Sequence, residues 1–88
     1  MKFLLVEDNI ELARAISSRL RLDGHVIDHA AKLEDASEFI STGEYDLILL
    51  DIMLPDGDGR MFLKQHRAND LDTPVIILTA RSQVSDRI

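Results

Sequence analysis

The sequence has 88 residues, no cysteine and a formal net charge of -6, so it forms at most one small domain without disulfides or thiolate metal sites. The acidic balance argues against direct binding of nucleic acid by this segment, because such binding depends on clustered lysine and arginine. With 45% hydrophobic residues and no apolar stretch typical of a membrane span or signal peptide, we expect a globular, cytoplasmic protein.

Four short apolar segments predict β-strands. Three of them lack the in-out alternation of a half-exposed strand, and continuous apolar runs of this length are typical of parallel strands covered on both faces. In chain order the segments are FLLV (3–6), HVIDHA (25–30), DLILL (46–50) and VIILT (75–79).

Three helices are predicted between these strands. Asn9 can cap the start of the first helix and Gly24 can end it, the second ends before Gly43, and the third begins near Asp58. The order βαβαβαβ predicts a single α/β domain over residues 1–88, in which helices cover both faces of an open parallel sheet.

Acidic residues stand where two of the predicted strands end. Glu7 and Asp8 follow the first strand, Asp51 follows the third, and Thr79 ends the fourth. Sites in parallel sheets lie at the carboxyl ends of the strands, so these acids converge if the first and third strands are neighbours. Two carboxylates about 4 Å apart repel by roughly 4 kcal/mol at an effective dielectric constant of about 20. A cation is therefore expected, and carboxylate oxygens select Mg²⁺ or Mn²⁺.

Asp51 is the residue that we expect to react. A carboxylate can attack phosphorus and form an aspartyl phosphate while a metal ion neutralises charge on the transferring group. Asp51 ends the most apolar strand, whereas Glu7 and Asp8 are better placed to bind the metal directly or through water. Thr79 can donate a hydrogen bond to a phosphoryl oxygen, and the backbone carbonyl of Met53 can bind the metal.

Three motifs together resemble the receiver domain of two-component response regulators, and the resemblance covers the whole chain. The motifs are LLVEDN (4–9), LLDIMLPDGDG (49–59) and PVIILTA (74–80). The resemblance implies a CheY-like, flavodoxin-like fold with strand order 2-1-3-4 and helices on both faces of the sheet. The acceptor loop DIMLPDGDG (51–59) and the ending TARSQVSDRI (79–88) look most like the OmpR-type group, whose output is a winged-helix DNA-binding domain.

The resemblance also implies a role for each candidate residue. Asp51 would accept a phosphoryl group from a phosphohistidine on a sensor histidine kinase, and Thr79 would be the switch hydroxyl that responds to it. The implied ligands of Mg²⁺ are Asp8, Asp51, the backbone carbonyl of Met53 and, mainly through water, Glu7. Such a domain is a signalling module and not an enzyme beyond its own phosphorylation.

The chain departs from the family pattern because it ends at Ile88, before a fifth strand and a fifth helix. The family's lysine after the fifth strand therefore has no counterpart, and we expect a truncated receiver that binds metal but is phosphorylated poorly. The edge of the fourth strand would be uncovered, which predicts a homodimer or a domain-swapped assembly. The alternative is a monomer with frayed ends.

Two other functions remain open at this point. A Mg²⁺-dependent enzyme of the Toprim type also places acids after strands, but it expects D-x-D where Asp51 is followed by Ile52 and Met53. A phosphorylation-incompetent interaction module is the second alternative.

Asp56 and Asp58 fail the calcium-loop pattern, so we expect them to be turn and helix-capping residues.

Overall fold

The computed structural model describes residues 1–68 and 72–78, which form a layered α/β fold. The strands of the central sheet are β1 (Lys2–Val6), β2 (Val26–Ala30), β3 (Leu47–Asp51) and β6 (Val75–Leu78). A two-stranded hairpin contains β4 (Met53–Leu54) and β5 (Gly57–Asp58). The helices are α1 (Ile10–Leu22), α2 (Leu33–Thr42) and α3 (Gly59–Ala68).

The central sheet is parallel, and its strand order is β2-β1-β3-β6. This order confirms the predicted order 2-1-3-4, because β6 corresponds to the fourth predicted strand, VIILT (75–79). Val6 lies opposite Ala30 on one side and Leu50 on the other. Because β1 and β3 are neighbours, the residues that follow Val6 and Leu50 meet at one edge of the sheet.

The core lies on both faces of the sheet, as the uninterrupted apolar runs predict. Alternate residues of β1 point to opposite faces. Leu4 and Val6 belong to a cluster that includes Ala36 of α2 and Phe62 of α3. A second cluster contains Phe3, Leu5, Ala13 and Ile27. Helices α2 and α3 therefore cover one face, and α1 covers the other.

The ends of α1 follow from its flanking residues. The side chain of Asn9 accepts a hydrogen bond from the Leu12 amide at 3.1 Å, which caps the first turn. Gly24 has a φ of 88° just after the helix, where a residue without a Cβ is favoured. The amide of His25 donates to the Leu20 carbonyl, which completes a Schellman turn. Both predicted ends are confirmed.

The hairpin of β4 and β5 was not predicted. Each of its strands has two residues, with Met53 opposite Asp58 and Leu54 opposite Gly57. Runs this short carry no periodicity that a sequence pattern can reveal.

None of the helices in the described residues is long and apolar enough to cross a membrane.

Candidate functional site

Three carboxylates lie together at the carboxyl edge of the sheet. Glu7 and Asp8 follow β1, Asp51 is the last residue of β3, and one ligand atom from each lies within 4.8 Å of the others. The side chains of Glu7 and Asp51 are buried, each with 1% of its surface exposed, and Asp8 is half-buried. Among the residues that the structure describes, no other cluster of three or more histidine and acidic side chains has this geometry.

Glu7 is held by hydrogen bonds to its side chain and its backbone. Its Oε2 accepts a hydrogen bond from the Asn9 amide at 3.0 Å, and its own amide donates to the Ala30 carbonyl at 3.0 Å. The ring of His29 donates from Nε2 to the Glu7 carbonyl at 2.7 Å. Asn9 also caps α1, so a single residue orients the Glu7 carboxylate and starts the helix. These hydrogen bonds therefore fix the position of Glu7 at the end of β1.

The donor set fits a small, hard dication. All three side chains offer carboxylate oxygens, which are the ligands that Mg²⁺ and Mn²⁺ prefer. Two of them are buried, and burial of neighbouring negative charges is costly without a cation or hydrogen bonds to offset their repulsion. Mg²⁺ usually keeps several waters and takes one or two protein carboxylates, and the half-buried position of Asp8 would leave such an ion accessible to water.

The segment after Asp51 folds back on the end of β3. The amide of Gly59 donates to the Ile52 carbonyl at 2.6 Å, which closes the hairpin at its base. A Cβ on Gly59 would collide with the Asp51 carbonyl oxygen and would lie 3.1 Å from the Cα of Ile52. Only glycine at this position allows α3 to begin directly against Asp51. The side chain of Met53 is 62% exposed, so the contribution expected from this residue is its backbone.

Asp56 and Asp58 are capping residues, as predicted, but they cap different helices. Asp58 accepts a hydrogen bond from the Arg60 amide at 2.7 Å, at the start of α3. Asp56 accepts hydrogen bonds from the amides of Leu33 and Glu34, at the start of α2. The prediction did not assign Asp56 to α2, because a capping pattern is read from residues next to a helix in the sequence.

The structure brings together three of the predicted site residues, Glu7, Asp8 and Asp51, and their individual roles stay predictions. Met53 lies in β4, two residues after Asp51. Thr79 lies outside the described residues. The contacts of Asn9 and His29 with Glu7 were not predicted, although the sequence indicated Asn9 as a helix cap.

The match to a known family extends over nearly the whole chain. Residues 3–88 match the response regulator receiver domain family. Over 88 residues the chain is 47% identical to the transcriptional regulatory protein DltR of Streptococcus agalactiae. This alignment covers 100% of this chain and 39% of that protein. It is 36% identical over 88 residues to the transcriptional regulatory protein BasR of Escherichia coli, with 100% of this chain and 40% of that protein covered. The chain thus spans about two fifths of the length of these curated relatives.

The solved structures that resemble this chain include a receiver domain and a response regulator. The receiver domain of the Francisella response regulator 1452 superposes with a TM-score of 0.83 at 34% identity, covering 86% of this chain and 63% of that chain. A structure of the MaeR response regulator bound to beryllium trifluoride has a TM-score of 0.83 at 29% identity, covering 89% of this chain and 66% of that chain. With the parallel sheet and the acidic cluster at its carboxyl edge, these matches show that the chain belongs to the receiver domain family of two-component response regulators.

Proposed function

We propose that the chain is the phosphoacceptor of a two-component system, in which a sensor histidine kinase donates a phosphoryl group to Asp51. The observation that carries this proposal is the cluster of Glu7, Asp8 and Asp51, with Asp51 at the end of a buried strand. The end of β3 holds the Asp51 carboxylate beside those of Glu7 and Asp8, which suit a metal ion. A nucleophile and a cation site side by side are what phosphoryl transfer to a carboxylate needs.

The proposed reaction exchanges one bond to phosphorus for another. A carboxylate oxygen of Asp51 attacks the phosphorus of the phosphohistidine, the P–N bond breaks, and its electron pair returns to the imidazole. Asp51 then carries an acyl phosphate. When bound, Mg²⁺ neutralises charge on the phosphoryl oxygens. Asp8, Asp51 and the backbone carbonyl of Met53 would hold it, and Glu7 would act mainly through water.

The signalling output is proposed from the relatives. Thr79 is the proposed switch hydroxyl, which donates a hydrogen bond to the phosphoryl group and biases the domain toward an active state. DltR and BasR are both named transcriptional regulatory proteins. We propose that phosphorylation of this domain controls a DNA-binding output elsewhere in a cytoplasmic transcription factor.

Binding of a phosphoryl mimic tests this function. Beryllofluoride is added with Mg²⁺ to the isotope-labelled protein, and chemical shifts are followed by NMR. We expect Mg²⁺-dependent shifts centred on Asp51 and Thr79, and none in an Asp51→Asn variant, because the mimic needs the carboxylate as a ligand. Identical spectra with and without beryllofluoride would favour a module that only binds partners.

We also propose self-association through the β6 edge, as a homodimer or a domain-swapped assembly. Within the described sheet β6 lies at an edge, and the side chain of Ile76 is 51% exposed. Unpaired strand edges with apolar side chains recruit other chains. Sedimentation velocity over a range of concentrations should show a dimer, and a monomer at the highest concentration would contradict the proposal.

A further inference from the structure

The turn of the β4–β5 hairpin is attached to the start of a distant helix. Asp56 lies in this turn, and its Oδ1 accepts a hydrogen bond from the Leu33 amide at 2.7 Å. Its Oδ2 accepts a hydrogen bond from the Glu34 amide at 2.9 Å. Lys32, the residue at the capping position of α2, makes no side-chain cap. The first turn of α2 is therefore capped by a residue that follows it by more than 20 positions.

Electrostatics favour this attachment at neutral pH. The hydrogen bond from the Leu33 amide is the main cause that holds the pKa of Asp56 below its usual value. The Glu34 amide and the positive charge of Lys32 act in the same direction. A negative charge is also favoured at the amino end of a helix. Asp56 is thus ionised and a strong acceptor under physiological conditions.

The hairpin is consequently held at both ends. At its base, Gly59 donates to the Ile52 carbonyl at 2.6 Å and packs against the Asp51 carbonyl. At its tip, Asp56 binds α2. Met53 lies between these two attachments, paired with Asp58 across the hairpin. Its backbone position therefore depends on both.

We propose that Asp56 is a positioning residue for the metal site, because its cap on α2 fixes the hairpin that carries the Met53 carbonyl. This inference rests on the proposed function, in which that carbonyl binds Mg²⁺. Coupling between two sites is reciprocal, so Mg²⁺ binding should in turn stabilise the cap. If Asp56 only stabilised α2, its removal would lower the stability of the domain and leave the Mg²⁺ affinity of the folded protein unchanged.

Calorimetric titration of Mg²⁺ separates these two roles. The Asp56→Ala variant should bind Mg²⁺ roughly 10-fold more weakly, as is typical for loss of a residue that orients a metal ligand. Asp56→Asn keeps one oxygen acceptor and should be intermediate. Asp35→Ala, the matched control, removes a carboxylate from the first turn of the same helix and neither cap hydrogen bond, so its Kd should equal that of the wild type. Thermal unfolding establishes a temperature at which each variant is folded.

Amide hydrogen exchange of the wild type gives a second readout that needs no variant. Saturation with Mg²⁺ should slow exchange at Leu33 and Glu34, because the bound ion fixes the hairpin that caps them. Equal Kd values for Asp56→Ala and wild type would overturn the inference. If Asp56→Ala does not fold, unchanged exchange at the two wild-type amides would overturn it, and slowed exchange would support it. Absence of Mg²⁺ binding by the wild type would instead contradict the proposed function itself.

Discussion

Gly59 begins helix α3 against the carbonyl oxygen of Asp51, where there is no room for a Cβ. Backbone packing therefore favours glycine at position 59, next to the proposed phosphorylation site. We expect Gly59→Ala to lower the free energy of unfolding by about 1–3 kcal/mol, as forced overpacking does. Chemical denaturation measures the change.

Gly43→Ala is the matched control for this substitution. A Cβ at Gly43 would have the Phe39 carbonyl oxygen as its nearest neighbour, at 3.4 Å. The backbone of Gly43 is extended, with a φ of -136°, and this conformation suits any residue. We expect a much smaller loss of stability than at Gly59. Equal losses in the two variants would mean that the close approach to Asp51 has no special cost.

Neutralising Asp51 should stabilise the protein when Mg²⁺ is absent. Its buried carboxylate lies next to those of Glu7 and Asp8, and asparagine keeps the shape while removing the charge. We expect Asp51→Asn to raise the melting temperature by roughly 10 °C, which corresponds to about 2 kcal/mol in a domain of this size. Differential scanning calorimetry in a chelating buffer measures it.

Asp72→Asn controls for the general loss of one negative charge, because Asp72 is exposed and is not one of the clustered acids. It should leave the melting temperature nearly unchanged. Added Mg²⁺ should stabilise the wild type more than Asp51→Asn, because an ion stabilises the state that binds it. A lower melting temperature for Asp51→Asn without metal would contradict this account of the cluster.

The two acids after β1 should contribute unequally to metal affinity. Asp8 is expected to bind Mg²⁺ directly, whereas Glu7 acts mainly through water and is held by the Asn9 amide. We expect Glu7→Gln to weaken Mg²⁺ binding by roughly 10-fold, in the range of outer-shell residues, and Asp8→Asn to weaken it further. Calorimetric titration gives both constants, and the reverse order would show that Glu7 is the direct ligand.

Tyr45, two residues before β3, is hydrogen-bonded to a residue in the middle of β2. Its hydroxyl donates to Oδ2 of Asp28 at 2.6 Å. Burial, followed by the hydrogen bond to Asp28 and the charge of that carboxylate, raises the pKa of Tyr45 above its usual value. We expect Tyr45→Phe to lower the free energy of unfolding by about 1 kcal/mol at neutral pH.

The pH dependence of this difference has a definite sign. The tyrosine of the unfolded chain loses its proton near pH 10, whereas the folded protein retains it to higher pH. The unfolded state therefore binds fewer protons above about pH 10, and wild-type stability falls there with rising pH. The contribution of the Tyr45 hydroxyl is complete below pH 10. Urea unfolding from pH 7 to 11 should show a wild-type advantage over Tyr45→Phe that shrinks only above pH 10.

Much of the fold could be predicted because the relevant patterns are local. The apolar run before Asp51 predicts a covered strand, and Asn9 and Gly24 predict the two ends of α1 from side-chain capping and backbone freedom. The acidic site could be predicted because parallel strands bring their carboxyl ends to one edge, so Glu7 and Asp51 meet although they are far apart in the sequence.

The remaining contacts join segments that are far apart in the sequence, so a local sequence pattern does not predict them. Asp56 is capable of capping, but its partners Leu33 and Glu34 become neighbours only when the hairpin packs beside α2. The hydrogen bond of Tyr45 to Asp28 similarly requires two separate segments to be placed in three dimensions. Asp56 was predicted to have a turn or helix-capping role. Its specific partner follows only from the tertiary structure.

Mapping the phosphoryl group tests the central claim most directly. The protein is incubated with Mg²⁺ and a phosphorylated histidine kinase or a small phosphodonor, and the product is analysed by intact mass and peptide mapping. We predict a single modified residue, Asp51, whose phosphorylation depends on Mg²⁺ and whose phosphoryl group is released by hydroxylamine, as an acyl phosphate is. Asp51→Asn should remain unmodified. A phosphoryl group on any other residue, or equal labelling of the Asp51→Asn variant, would contradict the assignment of Asp51 as the phosphoacceptor.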